Sequence, residues 1–102
     1  MKKIVFNGTE LQVSFSAYSM HDGQRTAIVL NNASTGERYM VATVNLPQEP
    51  LKEDEVLIKN WSENEGIYQA LVSAGIISQA IDHVATGFVY ALKCKLLVEP
   101  WK

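Results

Sequence analysis

The sequence predicts an α+β fold: an antiparallel sheet of five to seven strands in a meander, with one main helix at about residues 62–74 packed on one face. Three observations carry this expectation. Runs of alternating apolar and polar residues recur along the chain. Asn-Gly, Asp-Gly and Thr-Gly steps separate them at short intervals. One stretch, Ser62 to Gly75, has the apolar spacing of a helix.

The first pair of strands is marked by Ile4-Val5-Phe6 and a following Asn7-Gly8, which tolerates the positive φ angles of a tight hairpin turn. Beyond it Leu11, Val13, Phe15 and Ala17 point one way, and Gln12, Ser14, Ser16 and Tyr18 the other. His21-Asp22-Gly23-Gln24 reads as a turn, Arg25 to Leu30 as a third strand, Asn31 to Glu37 as a polar loop and Arg38 to Leu46 as a fourth strand. Pro47 to Glu55, with two prolines and four acids, reads as an exposed connector before a short strand at Val56-Leu57-Ile58.

Ser62 and Glu65 fit a capping box at the helix start, and Glu63 and Glu65 complement the positive end of the helix dipole. Ile67, Ala70, Leu71 and Ala74 form one apolar stripe, and Gly75 supplies a left-handed stop. Gly66 inside the first turn weakens the helix by about 1 kcal/mol relative to alanine, which points to close packing against that turn. Residues 76–85 fit either a helix extension or a linker with a strand from about Ile81; the latter is preferred. In the last strand Phe88, Tyr90, Leu92, Cys94, Leu96 and Val98 share one face, and Lys93 and Lys95 take the other. Leu11, Val13, Phe15, Ile28, Val41, Ile67, Leu71, Leu92 and Leu96 are the expected core.

At 102 residues, 47% hydrophobic and 20% charged, the chain is expected to form one globular domain over residues 1–102. A net charge of -2 with no basic stripe lowers the expectation of nucleic-acid binding, which rests on neutralising phosphates. The apolar region Phe88 to Val98 is interrupted by Lys93 and Lys95 and cannot span a bilayer as a helix. The N-terminus has only three apolar residues before its first turn, too few for a secretory segment, so a cytoplasmic location is expected.

Catalytic constellations are weak. Cys94 has no cysteine partner, and the two histidines, His21 and His83, supply too few companions for a zinc site. Cys94 with a histidine as base is one option for a small-ligand or catalytic domain, but its place on the core face suits a packed thiol. Asp82-His83 resembles part of a catalytic dyad, yet neighbours on a strand point to opposite faces. No catalytic residue, metal or cofactor is expected. The acidic group Glu49, Glu53, Asp54 and Glu55 lacks the alternation of a calcium loop and reads as solvated.

The segment around the helix start offers an interaction surface: Asn60, Trp61, Glu63, Asn64 and Glu65 set one large aromatic among amides and acids. The residue before a helix cap also often packs back on the first turns, which gives Trp61 a structural alternative. Lys59-Asn60, Glu63-Asn64-Glu65-Gly66, Ala70-Leu71, Ala74-Gly75 and Thr86-Gly87-Phe88 together resemble a small uncharacterised family of about 100 residues, met in gut bacteria and their mobile elements. The resemblance covers roughly residues 59–97. It implies a setting in mobile-element or phage biology, including inhibition of a host defence protein, and no catalytic residue. The leading expectation is a non-enzymatic protein–protein interaction module, either a homodimer through a sheet edge or the Trp61 region, or a binder of another protein. Weak nucleic-acid binding through Lys93, Lys95 and Arg38 stands as a further alternative.

Overall fold

Asn7 and Gly8 adopt φ angles of 50° and 77°, and this turn joins β1 (Lys3–Phe6) to β2 (Thr9–Met20) with Phe6 opposite Thr9. The computed structural model describes residues 2–20 and 23–100. Of the turn expected at His21-Asp22-Gly23-Gln24, His21 and Asp22 lie outside the described residues, while Gly23 and Gln24 already belong to β3 (Gly23–Asn32), opposite Met20 and Ser19. β4 (Arg38–Val41) follows antiparallel, so the first four strands form a meander in the order β1-β2-β3-β4.

The remaining strands form a second antiparallel sheet, β5 (Glu55–Ile58), β7 (Val89–Lys95) and β6 (Asp82–Thr86), with β7 in the centre. The expectation of one sheet of five to seven strands is thus corrected to sheets of four and three. The ladder narrows where the chain turns from one to the other. Ala42 N–H donates to Ile28 O, while Thr43 bridges Ile58 and Val44 N–H donates to Leu57 O. The fourth strand ends at Val41 and does not run on to Leu46, because residues 42–44 are shared between the two sheets and Pro47 has no N–H to offer.

The helix is shorter than its apolar spacing suggests. A single 3-10 turn, Ser62–Asn64, precedes α1 (Ile67–Ser73), and Gly66 separates them with φ 94°. Ser62 makes no side-chain cap and itself sits at φ 59°, so the expected Ser62/Glu65 capping box does not form. Asn60 takes that role. Its Oδ1 accepts from Gly66 N–H at 3.2 Å and Tyr68 N–H at 3.0 Å, which satisfies donors of the first helical turn. The helix ends as expected: Gly75, at φ 74°, donates to Val72 O and Ile76 donates to Leu71 O, with Leu71 and Ile76 both fully buried beside that closure.

The core lies between the inner faces of both sheets and α1. Ile4, Phe6, Leu11, Val13, Ile28 and Leu30 come from the first sheet, Val56, Ile58 and Cys94 from the second, and Ile67 and Leu71 from α1. Each such side chain contributes roughly 1.5–3 kcal/mol on leaving water. Leu11, Val13, Ile28, Ile67 and Leu71 are buried as expected, while Phe15, Leu92 and Leu96 are partly buried against the same cluster. Val41 is only partly buried; parity on β4 turns Met40 and Ala42 to the core instead. The alternative of residues 76–85 as helix is not adopted: the chain leaves α1 at Gly75 and enters β6 at Asp82.

Candidate functional site

The residues expected to form an interaction surface divide into two groups. Asn60 and Asn64 serve the fold. Asn60 caps α1, and Asn64, nearly fully buried, donates through Nδ2 to Val41 O at 2.9 Å and so fastens the 3-10 turn to β4. Trp61 is half-buried, and Glu63 and Glu65 are exposed. Lys59 serves two of them: its Nζ lies 2.7 Å from Glu63 Oε1 and 6.0 Å from the Trp61 ring centroid. The hydrogen bond from Lys59 holds the Glu63 carboxyl down at about 2. On the outer face of the first sheet an open groove of about 510 Å³, floored by Ala27 and Val29, brings Glu63 and Asn64 beside Tyr18, Thr43 and Asn45. Asn60, Trp61 and Glu65 do not line it.

Cys94 is fully buried, and desolvation pushes its thiol up to about 12. At neutral pH it is a protonated thiol packed in the core, not a nucleophile. His83 is exposed on β6, and His21 and Trp101 lie outside the described residues. Asp82 Oδ1 accepts from the His83 backbone N–H at 2.8 Å, not from the imidazole, so the adjacent pair makes an edge contact rather than a dyad. Among the described residues no three His, Cys, Asp or Glu side chains gather to hold a metal ion, and no helix is long and apolar enough to cross a membrane.

The acidic connector is more than a solvated link. Lys93 Nζ sits 2.8 Å from Glu49 Oε2, with both side chains mostly shielded, and Arg25 donates to Leu46 O and Glu49 O at 2.9 and 2.6 Å. Glu55 is buried and accepts from Lys52 N–H. The connector thus closes over the outer face of the second sheet, where Leu57 and Ala91 are buried beside Lys93. The bond to Glu49 raises the Lys93 pKa, and this lysine is not available as a free surface cation.

The largest departure from expectation is the β6–β7 hairpin. Alternation predicts Phe88 and Tyr90 on the same face as Leu92 and Cys94. Phe88 instead is wholly exposed and Tyr90 is 60% exposed, with Ile81 at 51% just before β6. Parity holds along β7, but the core does not extend that far. α1 has only seven residues, about 10 Å of helix, and packs most closely on β1. Cys94 lies within the buried cluster, while the distal end of the hairpin is left bare. The Thr86-Gly87 step is the sequence signal for this: Thr86 pairs with Val89 in the structure, so Gly87 and Phe88 are the two loop residues, and a side chain there projects beyond the strands. The His83 ring meets Tyr90 edge-on, with centroids 6.5 Å apart and an interplanar angle of 83°. The outer side of β6 has no neighbouring strand among the described residues.

No family model, curated protein or solved structure matches the chain.

Proposed function

We propose that this chain is a non-enzymatic protein-interaction module that docks through the β6–β7 hairpin. The observation that carries the reading is the exposure of Phe88 and Tyr90, with Ile81 just before β6, along a hairpin whose outer strand is an open sheet edge. An aromatic side chain in water at a loop tip adds nothing to folding, whereas buried in a partner's pocket it removes on the order of 150–250 Å² of surface from water. An open edge adds backbone hydrogen bonds to the same contact. The Trp61 segment suits docking less well, because two of its five residues hold the fold and Lys59 already engages Trp61 and Glu63. A catalytic reading through Cys94 finds no support in a buried, protonated thiol.

The test is site-specific photocrosslinking in the native cell, with a photoreactive phenylalanine analogue at position 88 and, separately, at position 5. Val5 is also an exposed apolar residue, but it lies on β1 of the other sheet. The expected result is a discrete protein adduct from position 88 and none from position 5. Adducts from position 5 alone, or none from either, would refute the proposal.

A further inference from the structure

We infer that the partner is a second copy of this chain, paired antiparallel along β6 about a two-fold axis at Val84. The inference rests on the reading of the hairpin as the docking surface and adds the occupant.

Hairpin geometry fixes which backbone groups β6 offers. In a two-residue hairpin the residues flanking the loop form a hydrogen-bonded pair, and bonded and non-bonded pairs alternate from there. Thr86 and Val84 therefore face Val89 and Ala91 of β7, and His83 and Ala85 turn their N–H and C=O groups outward. The Asp82 carboxylate confirms that direction independently, because it takes the His83 N–H at 2.8 Å and leaves none for β7. Edge strands are commonly blunted by proline, lysine or a bulge. β6, Asp82-His83-Val84-Ala85-Thr86, has none of these, and its register with β7 is unbroken.

The register centred on Val84 suits both geometry and charge, whereas centring on Ala85 would bond only the Ala85 pair, because Gly87 of the partner subunit, which would face His83, sits in the turn at φ 66°. Centring on Val84 makes His83 and Ala85 the hydrogen-bonded pairs, with four backbone bonds across the axis. It sets Val84 against Val84 of the partner subunit as a non-bonded pair, the arrangement that brings side chains closest. Asp82 then lies opposite Thr86 of the partner subunit, and His83 opposite Ala85 of the partner subunit, so no like charges meet. Centring on His83 instead sets two imidazoles face to face. The result is one six-stranded sheet across the dimer, with Asp82 as the internal competitor that must release the His83 N–H.

Light scattering coupled to size exclusion, over micromolar to millimolar chain, tests this. The wild type is expected to move from 11.4 kDa toward twice that mass as concentration rises. Ala85→Pro removes an outward N–H without touching the ladder to β7 and is expected to weaken association at least about tenfold. Ala85→Lys keeps the backbone intact and blunts the edge, and serves if the proline variant does not fold. Asp82→Ala removes the competing acceptor and is expected to tighten association. A wild type that stays monomeric to millimolar concentration would overturn the inference, as would a dimer indifferent to both Ala85 substitutions. In either case an adduct from position 88 to a different protein would leave the hairpin reading standing, whereas no adduct would remove both.

Discussion

Replacing Asn60 with alanine removes the acceptor for two backbone N–H groups at the start of α1, Gly66 at 3.2 Å and Tyr68 at 3.0 Å. Loss of an N-terminal cap costs roughly 1 kcal/mol. The second bond adds about 0.5–1 kcal/mol, since the freed donors are only partly reachable by water. The sum is about 1.5–2 kcal/mol, which for a chain near 100 residues lowers the unfolding temperature by roughly 6–15 °C. Ser62→Ala is the control. Ser62 makes no cap, is exposed, and should change stability by no more than about 0.5 kcal/mol. Urea unfolding followed by far-UV circular dichroism, with unchanged slope, measures both. The sequence pattern Ser62-x-x-Glu65 ranks the two residues the other way, so a Ser62→Ala cost equal to or larger than that of Asn60→Ala would refute the structural assignment.

Gly66→Ala discriminates in sign: a glycine inside a helix would gain about 1 kcal/mol on becoming alanine, but at φ 94° the left-handed backbone costs roughly 1–2 kcal/mol, so thermal unfolding should show destabilisation. The added Cβ would meet Phe6 Cε1 at 3.5 Å, an ordinary contact, so the backbone and not a clash sets the cost. Cys94 should resist thiol reagents in the native protein and react at the rate of unfolding; rapid native labelling would contradict its burial and raised pKa. Glu49→Gln should destabilise at neutral pH by about 1 kcal/mol, given the partial shielding of the pair. Because the folded Lys93 pKa lies above the ordinary 10.5, the stability it lends is complete below that value and lost as pH rises through the folded pKa; the gap between wild type and Glu49→Gln should therefore close only above it.

Local turn chemistry was legible in the sequence because it is set by a few adjacent residues. Asn7-Gly8 and Gly75 needed positive φ, and both adopt it. The cap was harder to read: Asn60 and Ser62 are both good cap types, and which one serves depends on the tertiary fastening of Asn64 to Val41, invisible at that range. Strand parity correctly opposed Lys93 to Leu92 and Cys94. It could not show that a connector more than forty residues earlier would cover the lysine's face, through Glu49. Nor could parity show where the core stops along a strand, because that depends on the length and placement of α1. Alternation alone therefore misplaces Phe88 and Tyr90.

Amide hydrogen exchange tests the central claim, that the β6–β7 hairpin is where this protein meets another chain. It is measured on the isolated dilute chain and on the chain purified with whatever remains bound to it. The Ala85 amide, outward on a free edge, should exchange rapidly in the first sample. In the second, new protection should fall on residues 81–90 and little elsewhere. Protection concentrated on β1 or the Trp61 segment, with the Ala85 amide as fast as before, would contradict the account.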